Sequence, residues 1–503
     1  MKKVAALLNS NRTLRFLAVV SGLASALLLI AGATNTLPKA GLEEIDSQAV
    51  ADLQDIGDES EIEFDFEKQL YAIPETLRPE IESDPFVIST LGPLGLLPTL
   101  DPEGHGHFTG EFDRDAILDD YRGLIGEPFK IPEPLRDRVG FWFDIYTKYD
   151  SNKRVIHHAE FPWIVYKVVD VSFIIESDTP RRLWMRREKA DRYVKNEALR
   201  VQAALKSLAR KKSLKKLTEL EKEVAAALSA LPGKLQRNAR IAARHVRVQT
   251  GQKNFFYEGL IRSRRFLPAM EEVFRSRGLP VELTRIPFVE SSFNKHATSK
   301  VGAAGIWQFM SSTGRKFLRI DNAIDERRSP LKATEAAALL LKENHMILYR
   351  SWPLAITAWN HGPGGIRRAI QAVGSRDIAT IIKRYRSKSF DFASSNFYAE
   401  FLAALHAEKY QREIFGPIDG PEYETLHPVK LTRSIRFKEF LRASGLTLEE
   451  LLVINPELTI VARKNLVLKR GFKLHLPTQA VENLERVVVA LQKEKPARPK
   501  TAG

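Results

Sequence analysis

Glu290 closes the run Ile286-Pro287-Phe288-Val289-Glu290 and is followed by Ser291-Ser292. A carboxyl group behind four apolar residues is a candidate acid, because burial disfavours its ionised form. Two further stretches carry matching chemistry: Gly302-Ala303-Ala304-Gly305-Ile306-Trp307-Gln308-Phe309-Met310 and Ala358-Trp359-Asn360-His361-Gly362-Pro363-Gly364-Gly365. An acid, a Gly-rich turn bearing an aromatic and an amide, and a second amide-Gly-Pro loop are the parts of a sugar-cleaving cleft. Breaking a β-glycosidic bond requires a proton on the leaving oxygen and tolerance of oxocarbenium character in the ring. An apolar seat can lift a Glu to about 6, enough to keep that proton near neutrality. Glycosidases ordinarily add a second carboxylate. Asp321, Asp325, Glu326, Glu335 and Glu343 are available, but they fall in segments that read as solvated loop or helix face. Without a partner the nucleophile comes from elsewhere. A hydroxyl of the substrate is one solution, with the same Glu taking its proton in a second step.

These residues need a scaffold, and residues 254–412 read as helical throughout. Apolar positions in 255–278 recur at helical spacing and stop at Gly278-Leu279-Pro280. Residues 281–290 read as a short helix with Glu290 at its end. The Ala/Leu/Lys/Glu run 330–349 has Pro near its start, where a helix tolerates it. Residues 353–360 and 365–373 flank the turn at His361, and 397–410 closes the unit. Upstream, 138–146 carries an apolar face, and 161–169 is β-branched and aromatic, the composition of a short strand. That region packs against the helical unit or forms a small accessory one, its aromatics being core. Residues 182–247 read as two basic-faced helices around Pro232-Gly233. After Gly416 the pattern changes to strand, two short helices and strand, with Thr447 and Glu450 forming a capping box.

The chain has 503 residues, 44% of them hydrophobic, which suits several globular domains. It has no cysteine, so neither disulfide staples nor a lipid-modified N-terminal cysteine are expected. The net charge of +15 is uneven: 42–120 is mostly acidic, and Lys and Arg dominate from Arg181 onward. Such a balance suits nucleic acid, anionic membranes or anionic wall polymers. Lys2, Lys3, Arg12 and Arg15 precede an apolar run over 16–33 that ends Ala31-Gly32-Ala33, the pattern of an export signal or an uncleaved membrane anchor. Export argues against nucleic acid as the partner and for the periplasm or cell envelope, with membrane association through this segment.

The region from about 254 to 416 resembles the catalytic domain of lytic murein transglycosylases related to goose-type lysozyme, most nearly the membrane-bound type D branch. The residues that carry the resemblance are Glu290-Ser291; then Ser299, Gly302, Ala303, Gly305, Ile306, Gln308 and Met310 in order; then Ala358-Trp359-Asn360-His361-Gly362-Pro363-Gly364. The resemblance implies cleavage of the β-1,4 bond between N-acetylmuramic acid and N-acetylglucosamine in peptidoglycan glycan strands, giving a 1,6-anhydro end without water. It implies Glu290 as sole acid and base, with Ser291, Ser299, Gln308, Met310, Asn360 and Tyr398 holding sugar. No metal or cofactor is called for. The sequence departs from the pattern at Trp359 (for Tyr), His361 (for Ala) and Ser311 (for Pro). Asn396 is followed by Phe397 rather than Tyr, with Tyr398 one step later. The stretch 429–477 resembles a LysM module, a βααβ unit that binds N-acetylglucosamine-containing glycans. Thr447-Leu448-Glu449-Glu450-Leu451-Leu452, Ile454-Asn455-Pro456-Glu457-Leu458 and 471–477 match it, while Leu431-Thr432-Arg433-Ser434 lacks the usual Gly-Asp turn.

The expected organisation is therefore mainly α. A signal or anchor occupies 1–33, an acidic, largely disordered linker 34–107 and a mainly helical accessory region 108–250. An α-helical lysozyme-like catalytic domain (251–416), a LysM-like domain (425–480) and a basic tail (481–503) follow. A muramidase on the same fold and a non-catalytic wall-binding scaffold are the rival readings. Each residue also has a plain structural role open to it: Ser291 as a helix cap, Trp307 and Met310 as core, Asn360 as a turn holder and His361 as an exposed loop residue.

Overall fold

The computed structural model describes residues 64–65, 112–177, 183–299, 301–421 and 423–493. The segment expected to be an export signal or anchor, most of the acidic stretch and the end of the basic tail lie outside them. The architecture is mainly helical, with small sheets at its margins. Among the described residues no helix is long and apolar enough to cross a membrane.

A four-stranded sheet opens the fold. It orders β1 (Phe64–Asp65), β4 (Val246–Thr250), β2 (Lys153–His158) and β3 (Val165–Asp170), antiparallel except for the β1–β4 pair. The aromatic stretch expected as strand from 161 begins as a turn, with Ile164 N–H donating to the Phe161 carbonyl, and extends only from Val165. α1 (Arg136–Thr147) lies between β1 and β2 in the chain and packs against the helices that follow β4. The region 182–247 departs from the two-helix expectation. It holds α2 (Leu183–Arg210), α3 (Glu219–Leu228), α4 (Leu235–Ala242) and then β4. The extra break comes from Thr218, whose hydroxyl accepts from Glu221 N–H while the Glu221 carboxylate accepts from Thr218 N–H, restarting a helix after the Lys-rich 211–217.

The helices of the region expected to be catalytic follow: α5 (Lys253–Ser263), α6 (Leu267–Arg275), the Glu290-bearing α7 (Ile286–Ser291), α8 (Pro330–Ile347), α9 (Trp352–His361), α10 (Pro363–Val373), α11 (Ile378–Arg384) and α12 (Phe392–Lys409). Pro in the first turn starts α8, α9 and α10, where its fixed φ is already helical and no N–H is lost. One apolar core runs through this set and takes in Phe141, Trp142, Phe143, Ile145 and Tyr146 of α1. Arg138 Nη1 and Trp142 Nε1 both donate to Asn396 Oδ1, at 2.7 and 3.1 Å, fixing α1 on α12. A clamp joins sequence-distant ends of the core: Tyr410 Oη donates to Asp120 Oδ1 at 2.7 Å, and Tyr121 Oη and Arg122 Nη1 donate to the Glu413 carboxylate at 2.8 Å each.

The C-terminal unit has a core of its own and runs β5 (Leu426–Lys430), α13 (Phe437–Ser444), α14 (Leu448–Ile454), β6 (Lys473–Pro477) and α15 (Thr478–Lys493). β5 and β6 pair antiparallel, and the Thr447 capping box forms as its spacing demands. The unit is docked, since Ile324 of the catalytic region enters its core. Lys332 of α8 stands 2.9 Å from Glu326 and 2.9 Å from Glu457, with its ammonium 4.4 Å over the Phe472 ring.

Candidate active site

α7 is short, so its orientation depends on anchors. Arg285, buried at its start, donates from Nε and Nη2 to both carboxylate oxygens of Glu408 on α12, at 3.0 and 3.1 Å, and pairs with Glu271 of α6. At the other end Ser292 takes a left-handed conformation, φ +48°, and stops the helix. Ser291 turns inward, and its hydroxyl donates to the Ile306 carbonyl at 2.9 Å. That bond ties the acid-bearing helix to the Gly-rich loop. Ser291 is therefore a tie between elements and not a residue of the cleft surface.

The Gly-rich loop is pinned from behind. Arg327 Nη1 donates to the carbonyls of Gly302 and Phe309, at 2.7 and 3.0 Å. Gly305 has φ +78°, and a Cβ there would lie 1.8 Å from the Arg327 carbonyl oxygen, so glycine is required both for backbone conformation and for space. Gln308 adopts φ +47° and donates its amide to the Gly305 carbonyl at 2.8 Å. With its nitrogen held by the loop, Gln308 offers its carbonyl oxygen to a ligand. Trp307 is core: it is fully buried, and its indole N–H donates to Thr334 Oγ1 at 2.9 Å.

Glu290 opens onto a cleft of about 350 Å³. Val289, Ser299, Gln308, Met310, Trp359 and Asn360 line it with Glu290. Trp359 Nε1 donates to Glu290 Oε1 at 2.8 Å, with the Trp359 ring set against Trp307 and Phe309. Burial raises the Glu290 carboxyl to about 8, against the opposing pull of the Trp359 hydrogen bond. Glu290 is half-buried and lines the cleft, so its carboxyl group is within reach of a ligand there. Asn360 is exposed, and its Oδ1 accepts from Ser394 Oγ at 2.8 Å, which leaves the amide nitrogen toward the cleft as a donor. Met310 is 40% exposed and lies on the cleft wall rather than in the core.

Two expectations change. Tyr398, expected at the cleft, is buried in the core and stacks on Phe401; helical geometry turns Phe397 to the cleft in its stead. His361, expected on an exposed loop, ends α9 half-buried, its Nδ1 3.1 Å from Ser394 Oγ and its ring against Gly365, where a Cβ would meet it at 2.4 Å.

The far wall of the cleft was not anticipated. Trp142 and Tyr146 of α1, Arg247 and Gln249 of β4, Gln252, and Phe397 and Glu400 of α12 also line it. The Arg247 guanidinium lies 3.9 Å over the Phe392 ring, and Tyr146 stacks on Phe256. Signals for these residues existed. Trp142 and Tyr146 are one helical turn apart. Arg247 and Gln249 alternate with Val246 and Val248 on a strand that is buried throughout, polar side chains that a purely structural strand has no reason to bury. Among the described residues no cluster of three or more His, Asp or Glu side chains is arranged to hold a metal ion.

Comparison with known proteins places this site in a family context. Residues 271–382 match the family described as the transglycosylase SLT domain. Membrane-bound lytic murein transglycosylase D of Escherichia coli (strain K12) is 32% identical over 143 residues, 28% of this chain and 29% of that one. A putative tributyltin chloride resistance protein of Alteromonas sp. (strain M-1) is 34% identical over 101 residues, 20% of this chain and 49% of that one. The chain thus spans under a third of the length of the first relative and about half of the second. Among solved structures, the 70 kDa soluble lytic transglycosylase SLT70 of Escherichia coli is similar at 15% identity and a TM-score of 0.26, over 59% of this chain and 50% of that chain. Glu290, Ser299, Gln308, Met310 and Asn360 fall inside the matched segment; Trp142, Tyr146, Arg247, Phe397 and Glu400 fall outside it. Residues 271–382 thus carry the match to the transglycosylase SLT domain, in a chain homologous over part of its length to membrane-bound lytic murein transglycosylase D of Escherichia coli, and Glu290 lies within that segment.

Proposed function

We propose that the chain is a peptidoglycan lytic transglycosylase in which Glu290 is both acid and base. The observation that carries this reading is a carboxyl group kept protonated near neutrality at the floor of a cleft rimmed by Ser299, Gln308 and Asn360. Glu290 gives its proton to O4 of the leaving N-acetylglucosamine. The C1–O4 bond breaks, and its electron pair stays on that oxygen. The C6 hydroxyl of the muramyl residue closes on C1, and its proton passes to the Glu290 carboxylate, which regenerates the acid. The products are a 1,6-anhydromuramyl end and a free N-acetylglucosamine end, with no water consumed. Ser299, Gln308, Met310 and Asn360 hold the sugars. Ser291 acts one step back, by fixing α7 to the Gly-rich loop.

The relative named as a murein transglycosylase supports the same substrate class for this chain. In this reading residues 1–33 direct the chain to the cell envelope, 251–416 cut the strand and 425–480 are a LysM-like unit that holds glycan. Mass spectrometry of muropeptides released from purified sacculi tests the reading. Lytic cleavage gives fragments one water lighter than hydrolysis does, and Glu290→Gln should abolish their release. Fragments of hydrolytic mass would assign a muramidase instead, and absence of any release by the wild-type chain would leave the scaffold reading.

A further inference from the structure

The C-terminal unit meets the matched segment 271–382 at Lys295 and at the turn carrying Ile324, and both contacts lead to the Gly-rich loop. Lys295 is half-buried, and its ammonium donates to the Val453 and Leu452 carbonyls at 3.1 and 3.5 Å. Those carbonyls sit in the last turn of α14, where a helix leaves acceptors without intrahelical donors and favours a cation. α14 has no basic residue of its own in that turn. Burial, and then the Arg265 charge, pull the Lys295 ammonium down to about 8, so its seat is not a freely solvated one. Ala297, two residues on, lines the cleft, and its carbonyl accepts from Gly305 N–H at 3.0 Å and Gln308 Nε2 at 3.3 Å. On the second route, Ile324 enters the core of the C-terminal unit, and the next residue, Asp325, accepts from Arg327 Nε and Nη2 at 2.9 and 2.8 Å. Arg327 is the residue that holds the Gly302 and Phe309 carbonyls. Arg328 Nη2 donates to Thr298 Oγ1 at 2.9 Å, so the two routes meet next to Ser299 in the chain.

We infer that the docked C-terminal unit positions the cleft wall formed by Ser299 and Gln308, acting through Lys295 and the turn 324–328. This goes beyond the reading of that unit as a glycan holder, and its kinetic consequence rests on the lytic reading above. Lys295 is a positioning residue, acting on the sugar through Ala297, Ser299 and Gln308. The loop it supports needs support. Gly302, Gly305 and Gln308 have φ of +84°, +78° and +47°, and a non-glycine residue keeps such a conformation only where its surroundings over-determine it. Arg327 and the Ala297 carbonyl supply that constraint, and the C-terminal unit stands directly behind both. A shift of about 1 Å in a group that orients the substrate can cost about a hundredfold in rate. A flexible tether acts differently: it raises the local concentration of long strands and leaves the chemical step alone.

The experiment uses the full chain with Lys295→Met, which keeps the stem and removes the ammonium. Hydrogen exchange is followed over 297–309, where the amides of Ala304, Gly305 and Gln308 are bonded within the loop. These should exchange at least about tenfold faster than in wild type, with α12 unchanged. Steady-state kinetics on long glycan strands and on a murein tetrasaccharide should show kcat lowered at least about tenfold on both. Lys295→Arg, which can still donate to both carbonyls, should keep kcat within about threefold of wild type. Ile324→Ala, which trims the apolar plug of the second route, carries the same two measurements if Lys295→Met does not fold. Unchanged exchange over 297–309, a loss confined to KM on long strands, or equal losses in the Met and Arg variants would overturn the inference. Should the wild-type chain release nothing from either substrate, the lytic reading falls, and the exchange measurement alone decides whether the unit holds the loop.

Discussion

Burial disfavours the ionised form of Glu290, and this has an energetic sign. Its carboxyl group moves from an ordinary value of 4.5 to about 8 on folding, so between these values the folded chain binds one proton more than the unfolded chain. Stability is therefore intact below pH 4.5 and declines as pH rises toward 8, by up to ~5 kcal/mol from this one group. Glu290→Gln removes the ionisable group while Gln still offers an oxygen to Trp359. Urea unfolding should show the variant more stable than wild type by ~3 kcal/mol at pH 7, with the difference vanishing near pH 4. Activity has the complementary dependence: the proton must be present, so the rate should fall as pH rises through about 8. Trp359→Phe deletes the indole N–H that favours the ionised form. Its alkaline limb should move to higher pH, read from the pH dependence of kcat; a downward move would contradict the assigned direction. Glu290, Ser299, Gln308, Met310 and Asn360 stand out in the sequence by local spacing and residue type, and all five line one cleft. Tyr398 was misread because one residue along a helix is a rotation of about 100°, enough to exchange cleft for core.

The second level is how elements hold one another. α8 and the turn at Glu326–Arg328 are linked to the C-terminal unit through Lys332, which serves Glu326 on one side and Glu457 on the other. Burial raises the Glu457 carboxyl in spite of the nearby ammonium, so desolvation outweighs attraction there. Lys332→Ala would leave Glu457 enclosed without its cation and should destabilise the fold by ~3 kcal/mol or more. Replacing both, as Lys332→Met with Glu457→Leu, should recover most of that loss; thermal melts of the two variants decide it. Helices with capped or Pro-led starts were readable in the chain, as at Ser329-Pro330, Ser351-Trp352-Pro353 and Thr447. The third helix of 182–247 was signalled by Thr218 and Glu221, three residues apart, but the Lys-rich 211–217 carries no Gly or Pro to draw the eye. The wall made by α1 and β4 was not readable as a wall. Its residues lie more than a hundred positions before Asn360, and pairing across that distance is decided by the shared core.

At the scale of the molecule, the apolar core extends from Ile117 to Ile418 and crosses the boundary expected at 250. A fragment comprising 251–416 would expose the faces of α5 and α12 that Tyr146 and Trp142 cover. It should lack cooperative unfolding in calorimetry and show no cleavage, whereas a fragment from 112 onward should unfold as one transition and retain both. The clamp of Asp120, Tyr121 and Arg122 on Tyr410 and Glu413 closes a loop of about three hundred residues. Contacts of such separation in the chain form late, because the entropy of closing the loop is lost before the contact repays it. A chain ending before Tyr410 has Glu290 and its hydrogen-bonding partner Trp359, yet lacks the contacts that tie the two ends of this core together.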